Sequence, residues 1–190
     1  MRIIAGKHRS RPILGPVDQT TRPIVDRVKE ALFNRLTQVI DFDGIVVLDV
    51  FCGTGSMGLE ALSRGARHVT FLDRDRQARR LLAENLETLG ETDRATVVSD
   101  DALATTWLDW LEHRPVDLAL IDPPYAMMHD SETAAGIVGL MGRISELASA
   151  DAMLMLRTET EVVGPTVTGF GAARSHEYGS MTLHLYERSD

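Results

Sequence analysis

The sequence predicts an α/β protein: a mostly parallel, helix-covered sheet preceded by a short basic arm. Three observations predict it. From Gly44 onward, short continuous apolar runs alternate with helical stretches, as in strands buried on both faces and joined by crossover helices. Gly53, Gly55 and Gly58 complete a G-x-G-x-x-G loop where the first of those runs gives way to a helix. The chain closes on T-L-H-L-Y-E, which alternates strictly and reads as an antiparallel edge strand.

Taken in order, residues 1–14 read as an extended arm or hairpin, with R-I-I and P-I-L as apolar halves around G-K-H-R-S. A Gly-Pro turn at 15–16 follows. Thr21 is placed to cap a helix and Pro23 to sit in its first turn, where a missing N–H costs nothing. Ile24, Val28, Leu32, Leu36, Val39 and Ile40 recur at three- and four-residue steps and form its core stripe. I-V-V-L-D-V is the first strand, and a helix runs through A-L-S-R. H-V-T-F-L is the second strand, followed by a helix from about Arg76 to Leu89. A-T-V-V, D-L-A-L-I and M-L-M-L supply further strands. The chain thus divides into a basic arm over residues 1–20 and one domain over 21–190.

An apolar fraction of 44% and a charged fraction of 25% are those of an ordinary soluble globular protein. The single cysteine, Cys52, excludes an intramolecular disulfide and suits a reducing cytoplasm. The N-terminus has no secretory pattern and no apolar run spans a bilayer, so a cytoplasmic protein without a membrane partner is expected. The net charge of −8 argues against nucleic acid, but its distribution argues the other way. Residues 1–35 carry a net +5 and residues 36–190 a net −13, a basic end on an acidic body. Histidines and the cysteine show no metal-ligand spacing, and no metal is expected. Cys52 and the methionines at 127, 128, 153 and 155 read as packing residues, and His129 as a surface histidine near the site.

The glycine loop with Asp73 twenty residues after Gly53 is, alone, a dinucleotide fingerprint. Asp49 turns it away from NAD, because a carboxylate just ahead of the glycines would repel a pyrophosphate. S-adenosylmethionine, with an ammonium, a sulfonium and no phosphate, fits better. Asp49 would face its methionine end, the backbone at Gly53 and Gly55 would allow close approach, and Asp73 would hold the ribose hydroxyls. Asp101, in V-V-S-D-D-A, is placed to accept from the adenine amino group; capping of the next helix by Asp100 or Asp101 is the other reading, and both stay open.

The fourth strand delivers I-D-P-P-Y to the same sheet edge. Proline after Asp122 extends that aspartate, and Pro124 fixes the next step. The shelf so formed presents the Asp122 carboxylate and the Pro123 carbonyl, two acceptors that match an –NH₂ group, and almost no donors. Tyr125 offers a face for a flat ring. The matching ligand is a nucleobase with an exocyclic amine, turned out of its stack.

With these motifs in hand, the chain resembles the RsmD family of 16S ribosomal RNA guanine-N2 methyltransferases along nearly its whole length. The resemblance is carried by M-R-I-I-A-G-K-H-R-S-R, T-R-P-I-V-D-R-V-K-E-A-L-F-N, V-L-D-V-F-C-G-T-G-S-M-G-L-E-A-L-S-R-G-A, I-D-P-P-Y and Y-G-S-M-T-L-H-L-Y. It implies a Rossmann-like class I methyltransferase fold, with a seven-stranded, mostly parallel sheet whose last strand is antiparallel, plus the N-terminal β-hairpin arm. It implies transfer from S-adenosylmethionine to N2 of one guanine (guanine-966 in that family) of 16S ribosomal RNA, within the small subunit or an assembly intermediate; a monomer is expected. Carried over, Asp49, Gly53, Gly55, Asp73 and Asp101 bind the cofactor, and Asp122, Pro123, Pro124 and Tyr125 form the catalytic shelf. Arg2, Lys7, Arg9, Arg11, Arg22 and Arg27 would grip RNA phosphates. Ile24 and Val25 stand where the family often has hydroxyl residues, and Asp73 where glutamate is common. A DNA amino-methyltransferase and a non-catalytic RNA-binding assembly factor are the competing readings; the first lacks a visible target-recognition domain.

Overall fold

The computed structural model describes residues 1–16 and 26–189. Seven strands form one sheet: β1 (Val46–Val50), β2 (His68–Leu72), β3 (Ala95–Val98), β4 (Val116–Ile121), β5 (Ala148–Glu159), β6 (Arg174–Tyr178) and β7 (Met181–Glu187). Their spatial order is β3-β2-β1-β4-β5-β7-β6, with the first five parallel. β7 runs antiparallel to both β5 and β6. The chain winds outward from β1 through β2 to β3, then returns to the other side of β1 for β4. The order therefore reverses between β1 and β4, and ligands of open α/β sheets bind outside the strands' carboxyl ends at such a point.

The expected β2, β3 and Arg76–Leu89 helix occur where the sequence places them. Two findings differ. The closing strand is not an edge: β7 lies between β5 and β6, and all of Thr182–Tyr186 is buried. Its alternation misleads because the polar positions point inward to partners. His184 is hydrogen-bonded to Thr158 Oγ1 (2.9 Å) and Ser175 Oγ (2.7 Å). The true edge, R-S-H-E-Y, has no apolar run to announce it.

Helices α1 (Asp26–Leu36), α2 (Ser56–Arg64) and α3 (Arg76–Leu89) cover one face of the sheet, and α5 (Ser131–Ser145) covers the other. Val47 points to the first layer, and Leu48 and Val50 to the second. In α1, Val28, Leu32, Phe33 and Leu36 are buried, but Val39 lies past the helix end and is exposed. The expected cap at Thr21, and Pro23 and Ile24, lie outside the described residues. α3 starts at Asp75, whose side chain accepts from Ala78 N (2.6 Å), and stops at Gly90 in the left-handed region. No helix among the described residues is long and apolar enough to cross a membrane.

The arm is docked onto α2. Ile3 N donates to Arg11 O (3.0 Å) and Ser10 N to Ile3 O (2.9 Å), while Ile3 and Ile13 join the core beneath α1–α3. Buried Glu60 of α2 accepts from the backbone of Ile4 (2.7 Å) and Ala5 (3.0 Å) and from Arg64 Nε (2.9 Å). Lys29 of α1, fully buried 3.7 Å from Glu60, donates to Arg2 O (2.7 Å) and Ser56 Oγ (3.2 Å). Burial pushes the Lys29 pKa down, and Glu60 pulls against it. One lysine and one glutamate thus tie the arm, α1 and the start of α2 together, and α2 itself begins in the glycine loop.

Candidate active site

The site begins at the end of β1. Asp49 is fully buried, and its Oδ2 accepts from Gly58 N in α2 (2.8 Å). Its Oδ1 has no hydrogen-bond partner among the described residues. Burial pushes its pKa up to about 8, with the charges of Asp122 and Asp73 adding to the rise and the Gly58 N–H opposing it. An unpartnered carboxylate oxygen facing two other acids calls for a cation.

The loop that follows is built from left-handed residues at alternate positions: Phe51 (φ 60°), Gly53 (φ 55°) and Gly55 (φ 82°). The glycines have different reasons. A Cβ on Gly53 would meet nothing within 4 Å, so that backbone faces open space. A Cβ on Gly55 would fall 2.4 Å from Leu82, and one on Gly58 would fall 2.3 Å from Phe71. Only Gly53 of the three is a bare approach for a ligand; the other two are bare so that α2 can settle against β2 and α3. Cys52 N donates to Leu72 O (3.1 Å), Gly53 N to Asp73 Oδ2 (2.7 Å) and Gly55 N to Cys52 O (2.8 Å). Three amides that a pyrophosphate cradle would need are thus engaged within the chain. Cys52 is buried and burial raises its thiol pKa, as befits a packing residue.

Asp73, after β2, braces the loop: Oδ2 takes the Gly53 N–H and Oδ1 the Asp75 N–H (2.8 Å). Each oxygen keeps a second lone pair for a hydroxyl. Asp101 caps a short 3₁₀ turn, accepting from Leu103 N (3.0 Å), and its Oδ2 lies 3.3 Å from Arg74 Nη1. Of the two readings left open for that aspartate, capping occurs, and its exposed carboxylate also stands at the rim after β3. The fit for an S-adenosylmethionine-like group is good on these grounds: a bare backbone at Gly53, lone pairs at Asp73, an orphaned acid at Asp49 and no waiting phosphate cradle.

The D-P-P-Y corner stands at the same mouth. Asp122 N donates to Val50 O (3.2 Å), so β4's exit is bonded to the end of β1 next to the glycine loop. Pro123 is buried, Pro124 is exposed, and half-buried Tyr125 opens α4 (Tyr125–His129). The sequence reading missed Arg157 of β5. Its Nε donates to Asp122 Oδ1 at 2.6 Å, and its Cζ lies 5.8 Å from the Tyr125 ring centroid. The available signal was a charge closing the apolar run M-L-M-L-R, in the strand beside β4. Burial pushes the Asp122 pKa up, while the charge and hydrogen bond of Arg157 pull it down. His129 pairs with Glu159, fastening the end of α4 to the end of β5.

The basic residues divide. Arg2 lies 3.3 Å from Asp26, Lys7 3.5 Å from Glu91, and Arg11 donates to Thr88 O. Arg9 and Arg27 are exposed, and Arg22 lies outside the described residues. Among the described residues, no group of three His, Cys, Asp or Glu side chains is arranged to hold a metal.

The profile of the family described as conserved hypothetical protein 95 matches residues 1–187. The chain is 34% identical over 189 residues to the Escherichia coli (strain K12) protein named ribosomal RNA small subunit methyltransferase D, covering 99% of this chain and 90% of that one. It is 31% identical over 189 residues to YlbH of Bacillus subtilis, covering 99% of both. The solved structure of the Escherichia coli protein yhhF matches with a TM-score of 0.79 at 32% identity, covering 100% of this chain and 98% of that one. The fold is that of class I methyltransferases.

Proposed function

The chain belongs to the RsmD family, and from that premise we propose that it methylates 16S ribosomal RNA, transferring a methyl group from S-adenosylmethionine to the exocyclic N2 of one guanine. The observation that carries the reading is the bond from Asp122 N to Val50 O, which sets the D-P-P-Y shelf at the mouth of the glycine loop. S-adenosylmethionine, when bound there, supplies an electrophilic methyl on a sulfonium. Asp49 answers its ammonium, through a water or a small shift of the loop, since the carboxyl itself is closed from solvent. Asp73 holds the ribose hydroxyls, and Asp101 is the candidate for the adenine amine. Pro123 O and the Asp122 carboxylate accept the two protons of the guanine amine and aim its lone pair, while Tyr125 stacks on the extruded base. As positive charge grows on that nitrogen, the fixed Asp122 carboxylate stabilises it, and a proton passes from the methylated nitrogen to that carboxylate.

The test is direct. Purified protein with radiolabelled methyl donor is offered bare 16S RNA, 30S particles and DNA, and the labelled nucleoside is identified. N2-methylguanosine from RNA is expected, with more label on the particle, because the acidic body needs protein surfaces to dock on. Label in DNA, or in another base, overturns the reading.

Phosphate gripping is proposed for the exposed basic residues of the arm and α1. Removing residues 1–14 would also strip Ile3 and Ile13 from the core, so point substitutions are the cleaner probe. Arg9→Ala with Arg27→Ala is expected to weaken RNA binding and to flatten its salt dependence by about one unit of slope for each phosphate no longer gripped. Affinity for S-adenosylmethionine stays unchanged. Anisotropy titrations across salt concentrations check it, and an unaltered slope removes both residues from the interface.

A further inference from the structure

The corner that looks donor-poor in sequence contains a guanidinium. We propose that Arg157 is a positioning residue for methyl transfer: it holds one oxygen of Asp122 and steadies Tyr125, so that the other oxygen and the Pro123 carbonyl are presented together to the target amine. The inference rests on the N-methyltransfer reading.

Four considerations support it. The Arg157 Nε to Asp122 Oδ1 contact is 2.6 Å, short even for a charge-assisted bond, with the two side chains only 7% and 13% exposed. A buried ion pair is weak evidence for stability, because well-packed apolar residues in its place are often neutral or better. An arginine closing M-L-M-L is therefore poorly explained by packing alone. Third, the sheet order flanks Asp122 with an acid and a base: β1 with Asp49 on one side, β5 with Arg157 on the other. Arg157 can hold the carboxylate without standing between it and the glycine loop. Fourth, the guanidinium also approaches the Tyr125 ring, so one rigid fork serves both working parts of the shelf.

Electrostatics agree with the geometry. Asp122 faces the Asp49 carboxyl from β1 and Arg157 from β5, and the His129–Glu159 pair closes the α4 side. Burial favours the neutral acid, and Arg157 is the group that favours the carboxylate. A neutral Asp122 would still accept a hydrogen bond but would lose the charge that stabilises the developing cation.

Arg157→Gln keeps a neutral donor and loses the charge; Arg157→Lys keeps the charge and loses the fork. In Arg157→Gln, kcat at pH 7 is expected to fall by about 100-fold, with S-adenosylmethionine affinity within about twofold of wild type. The acid limb of its pH–rate profile moves to higher pH, so the loss is largest in acid and shrinks in alkali. The ¹³C carboxyl titration of Asp122, read without any substrate, moves in the same direction. Arg157→Lys restores the position of the limb but only part of kcat. A wild-type limb and kcat in Arg157→Gln overturn the proposal, as does an unmoved Asp122 titration, or a loss that merely tracks melting temperature. A wild-type protein that methylates nothing sinks the methyltransferase reading itself, whereas an active wild type with indifferent variants sinks only the role of Arg157.

Discussion

Asp122→Ala lowers kcat for methyl transfer by roughly 1000-fold or more while affinity for S-adenosylmethionine stays within about threefold. The asymmetry follows from where Asp122 stands. Its carboxylate belongs to β4's exit, bonded by its own N–H to Val50 and by its side chain to Arg157, whereas the cofactor contacts proposed above come from Asp49, Gly53 and Asp73. On the proposed mechanism, removing Asp122 takes away one acceptor for the amine and the negative charge that answers the nitrogen cation. It also takes from buried Arg157 its Asp122 partner, and breaking a buried pair on one side costs about 3–5 kcal/mol. A drop in melting temperature is therefore expected, and Asp122→Asn is the necessary companion. Its carbonyl still accepts from Arg157, so it melts above Asp122→Ala yet loses activity by about 100-fold for want of the charge. Single-turnover transfer and calorimetric titration on both variants check the pair. Equal losses of rate and cofactor affinity would remove Asp122 from the catalytic role.

The parts of this site that were legible in the sequence are those whose chemistry is local. Asp49, Gly53, Asp73 and D-P-P-Y can be read because a strand end, a turn and a proline each restrict a few neighbouring residues, and the alternation of strands and helices brings their loops to one edge. What escaped is non-local. Arg157 lies 35 residues after its partner Asp122, and only the β4–β5 pairing makes them neighbours. β6 is an edge strand whose only strand partner among the described residues is β7, and β7 became a misread edge because Thr182 and His184 are polar yet buried. Gly55 and Gly58 look like ligand glycines, but the left-handed backbone at Gly55 (φ 82°) and the Phe71 ring against Gly58, distant in sequence, also call for glycine. The arm's basic residues likewise read as free in sequence, while Glu91 and Asp26 engage two of them.

Asp49→Asn is expected to move stability and cofactor affinity in opposite directions. The folded-state pKa of Asp49 is pushed up to about 8, against 3.8 for an ordinary aspartate. Between those values the folded chain holds a proton that the unfolded chain has released. The stability contributed by this group is fully present below pH 3.8 and is lost as pH rises toward 8, at about 1.4 kcal/mol per pH unit. At pH 7 the loss is on the order of 4 kcal/mol. Asparagine removes it: its carbonyl still accepts from Gly58 N, while its amide takes the unpartnered Oδ1 position at a cost of about 1–3 kcal/mol. The variant should therefore melt several degrees above wild type near pH 8, and no higher than wild type near pH 4. Its affinity for S-adenosylmethionine falls about 10–100-fold, the value of a hydrogen bond to a charged group. Cofactor binding to wild type also releases a proton from Asp49, visible in calorimetry as a dependence on buffer ionisation heat beyond that of the ligand's own amine; the variant lacks it. Thermal melts and titrations from about pH 4 to 9 decide the matter. Wild-type affinity in the more stable variant would mean that the buried acid serves Gly58 alone and that the ligand's cation is held elsewhere.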